Sequence, residues 1–268
     1  MTRTSRTWGW SLGVVAHSYR TVVVVAAFIA LWAFLFYQWL GMPAESSAPL
    51  FILAVIWALA QLLAAVAILA GIVLGAVQAA AADEGCVALP SLVSIRGRSL
   101  LKALAFLIVG FFAVWACGSV FHWFDEHSLE VASFLTFHFQ KPVSSVVVQD
   151  VYDFIEGLLW IVIGGFLLSF FIALLRAGWR PAFVQARQLL AACAFRSSFL
   201  TSLLTVVVFG GLAYELTDWR PVVPPGFWDY TQMLVRFSLV LLLVSSGVMF
   251  WLLALARQQI GRGESDLS

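Results

Sequence analysis

His122, Asp125, Glu126 and His127 fall within six residues of one another, with His138 further along. Imidazole and carboxylate groups crowded into a polar segment are the donor types of a transition-metal site. These four residues are therefore a candidate metal group. Their spacing matches no established ligand motif, and a solvated polar rim accounts for the same residues without any ion. A second cluster follows. Asp150, Asp153 and Glu156 form an acidic ladder in which Asp153 and Glu156 share a helical face with Gln149 and Trp160. Acids at a helix start are stabilised by its dipole. Glu156, however, stands at the edge of an apolar run, where an acid calls for a partner. Arg236 lies at comparable depth in a later run, so Glu156–Arg236 is the candidate ion pair, with Asp153 or Glu215 as substitutes for the acid.

Other chemistries lack their parts. Neither Ser169 nor Ser202, the hydroxyls set deep in apolar sequence, has a neighbouring base that would activate a nucleophile. There is no H-E-x-x-H and no Walker loop. The three cysteines, Cys86, Cys117 and Cys193, form no C-x-x-C pair, which argues against a thiol redox or zinc site. No ionisable residue occupies the middle of an apolar run, where ion-coupled carriers place theirs. The expectation is a protein that is not an enzyme and carries no cofactor. A net charge of +1 without a basic stripe also points away from nucleic acid.

The elements that must position these residues are six apolar runs: roughly Thr21–Gly41, Leu50–Ala79, Leu100–Phe124, Val151–Leu175, Phe199–Leu216 and Thr231–Ala256. Hydrophobic residues make up 62% of the chain and charged ones 11%, too little charge for the surface of a water-soluble domain. Each run is about as long as the ~20 residues that cross a bilayer. In hydrocarbon the backbone must satisfy itself, so the runs are helices. The fold class expected is all-α: a polytopic integral membrane protein with a six-helix transmembrane bundle.

Charge sets the direction of threading. With the N-terminus in the cytoplasm, 12 of the 15 basic residues fall on the cytoplasmic side, leaving only Lys141, Arg220 and Arg236 outside. That is the positive-inside bias. It implies both termini in the cytoplasm and a multi-pass protein of the inner (plasma) membrane. Ten of the 14 acids fall outside and make the exterior mouth negative.

One domain, residues 1–260, is expected, with a short polar tail at 261–268. Residues 1–20 read as an interfacial helix, because Trp8, Leu12, Val15 and Tyr19 share a face. The segment 178–194 has similar character. Residues 125–149 read as an exterior cap in which Ser128 caps a short helix through Phe139. Arg followed by Ser or Thr launches each odd span, and Pro49, Pro142 and Pro225 precede the even ones. The chain thus has the outline of three repeated two-helix hairpins. Ala67, Gly71, Gly75 and Ala79 form a stripe at four-residue spacing, a helix-packing surface that lets another backbone approach closely.

The leading functional expectation is a non-catalytic subunit or scaffold, with membrane lipids and other membrane subunits as partners, the latter through the small-residue stripe. The alternative is a permease, or half of one, for a lipophilic or lipid-like solute, working with a cytoplasmic ATPase. The third is a metal- or cofactor-handling protein built on the exterior histidines.

Overall fold

The computed structural model describes residues 3–40, 48–88, 97–219 and 226–265. Among them all regular secondary structure is helical, with no strand. The elements are α1 (Arg3–His17), α2 (Tyr19–Leu40), α3 (Ala48–Ala82), α4 (Gly97–Glu126), α5 (Ser128–Phe139), α6 (Ser145–Ala177), α7 (Trp179–Phe195), α8 (Ser197–Asp218) and α9 (Phe227–Ser265). Six of these, α2, α3, α4, α6, α8 and α9, are long and apolar enough to cross a membrane. The protein is an all-α, polytopic membrane protein whose lipid-facing helices are its main contact with the bilayer.

Local sequence explains the boundaries. Ser144 caps α6 by accepting from the Val146 N–H at 3.2 Å. Ser128 is instead the first helical residue of α5, and the capping position falls to His127, which makes no side-chain cap bond. The chain turns from α6 into α7 at Gly178, with φ +91° and ψ 179°. Only glycine adopts that conformation without strain. The turn folds α7 back on α6, where Phe183 meets Phe170 with ring centroids 5.2 Å apart. Helix α8 is not uniform: Val206–Gly210 is a π-helical turn between two α-helical stretches. Helix α9 continues to Ser265, so most of the expected tail is helix and only residues 266–268 lie outside the described part.

The helices pair as hairpins, and the hairpins meet at one end. Here α9 is central and packs against α1, α2, α3, α6 and α8. The buried side chains concentrate in Val66–Ala80 of α3, Phe170–Leu175 of α6 and Met249–Ala256 of α9. Hydrogen bonds that join different hairpins lie at this same end: Trp8 Nε1 to Thr201 Oγ1 (2.9 Å), Arg257 Nη1 to the Ala80 carbonyl (3.2 Å) and Gln259 Nε2 to the Ser169 carbonyl (2.9 Å). We call this the terminal end, because α1 and the close of α9 lie there.

Towards the far end the helices keep contact mainly within their own hairpin. Trp32 and Trp39 of α2 donate to the Gln61 and Ala54 carbonyls of α3. Phe121 of α4 meets Trp160 of α6 edge-on. Beyond these seams the side chains are uncovered. In α4 the six consecutive residues 111–116 are all exposed, with Phe111 at 67% and Trp115 at 64%. Six residues exceed one full helical turn. Exposed side chains therefore point to every side of α4 there, with Val114 the most covered of the large ones at 39%.

Candidate functional site

The polar residues of the far end gather where α4 stops and α6 starts. Gln149, Asp153, Glu156 and Trp160 do share one face of α6, as their spacing dictates. That face turns towards the last turn of α4, which contributes Asp125. One oxygen from each of Asp125, Asp153 and Glu156 lies within 4.8 Å of the others. The Gln149 amide bridges two of them, donating to Asp125 Oδ1 at 3.1 Å and Asp153 Oδ1 at 3.2 Å. Glu156 accepts from Trp160 Nε1 at 2.8 Å. Oxygen-only donors suit a hard cation such as calcium or magnesium, not a transition metal. Half-exposed acids also persist without one, each held by a neutral donor.

The four residues singled out as a metal group do not converge. His122 Nε2 pairs with Glu126 at 3.3 Å, one turn along the exposed face of α4. His127 stacks on Trp123 with centroids 4.4 Å apart, and its Nδ1 lies 2.7 Å from the Trp123 carbonyl. Only Asp125 faces the acidic cluster. Among the described residues that cluster is the one group of three or more metal-type donors, and no histidine belongs to it. His122 and Glu126 are neighbours on the exposed face of α4, Asp125 is turned to Gln149 of α6, and His127 follows the helix end and folds back on Trp123.

The expected Glu156–Arg236 pair is not formed. Glu156 is engaged by Trp160, and Arg236 Nη1 donates to the Trp219 carbonyl at the end of α8, 2.6 Å away. That carbonyl belongs to a helix C-terminus, which attracts cations through its own unpaired groups and dipole. A nearby backbone acceptor therefore takes the place of a distant acid.

The small-residue stripe of α3 is turned inward. Gly71, Gly75 and Ala79 are buried and Ala67 is half-buried, on a helix packed against α2, α4, α6 and α9. Its role is packing within the chain, so it is not open to another subunit. Close approaches also occur elsewhere. A Cβ at Gly247 of α9 would meet Phe209 Cβ at 2.7 Å, and one at Gly165 of α6 would meet Ser202 Oγ at 2.6 Å.

Two cavities stand out. An apolar one of about 560 Å³ lies between α6, α8 and α9, bounded by Phe154, Gly157, Leu158, Leu203, Val206 and Trp251, with Asp153 at its edge. It abuts the π-helical turn of α8, a distortion that often marks a functional position in a helix. The other, of about 660 Å³, lies at the terminal end among Arg6, Trp10, Asp83, Arg196 and Arg257. Nothing in the hydropathy pattern marked either, because each is assembled from helices far apart in sequence. Buried polar atoms without a partner include Gln61 Oε1 and Trp57 Nε1, one turn apart on α3, and Ser245 Oγ on α9. Comparison of the chain with known protein families, with characterised proteins and with solved structures finds no match to any of them.

Proposed function

We propose that this chain is a non-catalytic subunit or scaffold of a larger assembly in a bacterial-type inner membrane, with both termini cytoplasmic. The observation that carries the reading is the uncovered middle of α4. Residues 111–116 are exposed all round the helix, with Phe111, Phe112 and Trp115 together on one side, while the buried side chains of the bundle concentrate at the terminal end. Van der Waals packing drives helix association in lipid. A stretch of a span left uncovered by its own chain is the natural seat for a helix from another. The partner surface is therefore the far half of α4, not the stripe on α3. Native mass measurement of the protein released from its membrane in mild detergent tests this. A complex of fixed stoichiometry that dissociates in Phe112→Ala plus Trp115→Ala supports the proposal; a monomer from the start contradicts it. For orientation, an impermeant thiol reagent applied to whole cells labels a cysteine placed at Lys141 and spares one placed at Arg187; the reverse pattern refutes the threading.

One observation favours a second reading, a permease for a lipophilic solute. The apolar cavity beside the π-helical turn opens between three spans and holds space next to Gly157, where a Cβ would touch nothing within 4 Å. Such a solute needs no charge at midplane. Export of a fluorescent lipid analogue from proteoliposomes that stops in Gly157→Phe supports this reading over the first.

A further inference from the structure

We infer that the cavity at the terminal end binds a phosphate group, and that its depth suits the headgroup of an anionic lipid. Its walls come from α1, the end of α3, the start of α8 and the end of α9. The volume of about 660 Å³ is within the range of small-ligand sites. Three guanidiniums, Arg6, Arg196 and Arg257, line it against a single carboxylate, Asp83. Asp83 is already engaged by Arg257 at 2.9 Å. Arg257 also donates to the Ala80 carbonyl and lies over the Trp10 ring, 4.9 Å from its centroid, so its position is fixed. Among the described residues neither Arg6 nor Arg196 has an acid within ion-pair reach.

A second kind of donor faces the same space. Helix α8 begins at Ser197, on the cavity wall, and the residue before it is Arg196 in an extended conformation. A guanidinium cannot accept a hydrogen bond, so the first turn of α8 has no side-chain cap. The Phe199 N–H is taken by the Arg196 carbonyl at 3.0 Å, which leaves the Ser197 and Ser198 N–H groups and the positive end of the dipole for an anion. Guanidiniums and helix N–H groups together form the donor set that recognises phosphate oxygens.

Depth favours a lipid as the source. The apolar run of α8 starts at Phe199 and that of α9 closes at Ala256, and Arg196, Ser197, Arg257 and Gln258 of the cavity wall stand just beyond those two ends. The cavity thus sits where hydrocarbon gives way to headgroups. Positive-inside bias by itself would place arginines here without a site. Arg180 and Arg187, exposed on α7 at the same end and outside the cavity, serve as the control for that effect.

The test is lipid titration of the purified protein in detergent, followed by native mass spectrometry. Phosphatidylglycerol, phosphatidylcholine and inorganic phosphate are the probes. One phosphatidylglycerol binds at least about tenfold more tightly than phosphatidylcholine, whose choline cation offsets its phosphate. Each charged hydrogen bond is worth roughly a factor of ten. Arg6→Gln plus Arg196→Gln therefore weakens phosphatidylglycerol at least about tenfold, while Arg180→Gln plus Arg187→Gln changes it less than about twofold. Ser197→Asp puts a carboxylate where the phosphate would sit, at a helix start that tolerates it. It weakens binding similarly while leaving the helical circular dichroism intact, which separates binding from folding. Inorganic phosphate that displaces the lipid only at large excess identifies the headgroup as the source. Inorganic phosphate that binds more tightly than the lipid identifies a soluble phosphate compound instead. Equal losses in the two double variants, or equal affinity for both lipids, overturn the site.

Discussion

Replacing Gly165 by alanine tests the closest approach between α6 and α8. A Cβ built there meets Ser202 Oγ at 2.6 Å, Ser202 Cβ at 3.5 Å and Cys193 Sγ at 3.7 Å. The first distance is too short for any real contact. The hydroxyl is not free to turn aside, because it donates to the Ser198 carbonyl at 2.9 Å and accepts from Trp251 Nε1 at 3.0 Å. Either the helices separate, at the overpacking cost of about 1–3 kcal/mol, or the hydroxyl rotates and both bonds fail. Hydrogen bonds between membrane helices average about 0.6 kcal/mol and reach about 1.7. Both routes give a loss of about 1–2 kcal/mol for Gly165→Ala. Ser202→Ala alone forfeits the two bonds and costs about 1 kcal/mol. In the double variant the nearest atom to the new methyl is a Cβ at 3.5 Å, an ordinary contact. The double variant is therefore no less stable than Ser202→Ala, and the cycle returns a coupling of about 1–2 kcal/mol. Reversible unfolding by dodecyl sulfate in mild detergent micelles, followed by circular dichroism, gives the four free energies. If the single effects add to within about 0.5 kcal/mol, α6 and α8 do not meet at these residues.

Two further substitutions probe separate features. Gly178→Ala forces a side chain into the conformation at φ +91°, which costs about 1–3 kcal/mol; the same unfolding assay reads it, and an unchanged midpoint contradicts the turn described here. Gln61→Leu removes a 7%-exposed amide whose Oε1 has no partner, while the backbone carbonyl that accepts from Trp32 stays in place. Leaving a buried acceptor unpaired is itself costly, so the variant is neutral or stabilised by up to about 1 kcal/mol, and a clear destabilisation shows that the amide has a partner.

The spans were legible because lipid demands long, uninterrupted apolar helices and leaves little room for other patterns. The start of α6 at Ser145 was legible too, set by Pro142 and the capping Ser144, but α9 reaches Ser265, past the apolar run that closes at Ala256, because helices continue through polar sequence beyond the hydrocarbon. The shared face of Gln149, Asp153 and Glu156 followed from the helical period. Asp125 joins them across 24 residues of chain, and no local pattern announces that meeting. The missing Glu156–Arg236 pair has the same origin, since a similar depth in the membrane says nothing of which way a side chain points around its helix. The small-residue stripe stood out by its four-residue spacing, but which helices of the chain would bury it was a question of tertiary structure. The π-helical turn had a faint signal, three β-branched residues running into Phe209, Gly210 and Gly211. The basic cavity had none, because Arg6, Arg196 and Arg257 are brought together from opposite ends of the sequence.

The proposed assembly rests on α4 being uncovered in the isolated chain and covered in its native membrane. Spin labels placed singly at positions 111–116 report this directly through their collision rates with oxygen and with a water-soluble nickel complex. In nanodiscs holding the chain alone, all six positions are open to oxygen. In native membranes, one or two adjacent faces become shielded with the 3.6-residue period of the helix. If all six remain equally open to oxygen in native membranes, lipid alone surrounds α4 and the subunit reading is contradicted.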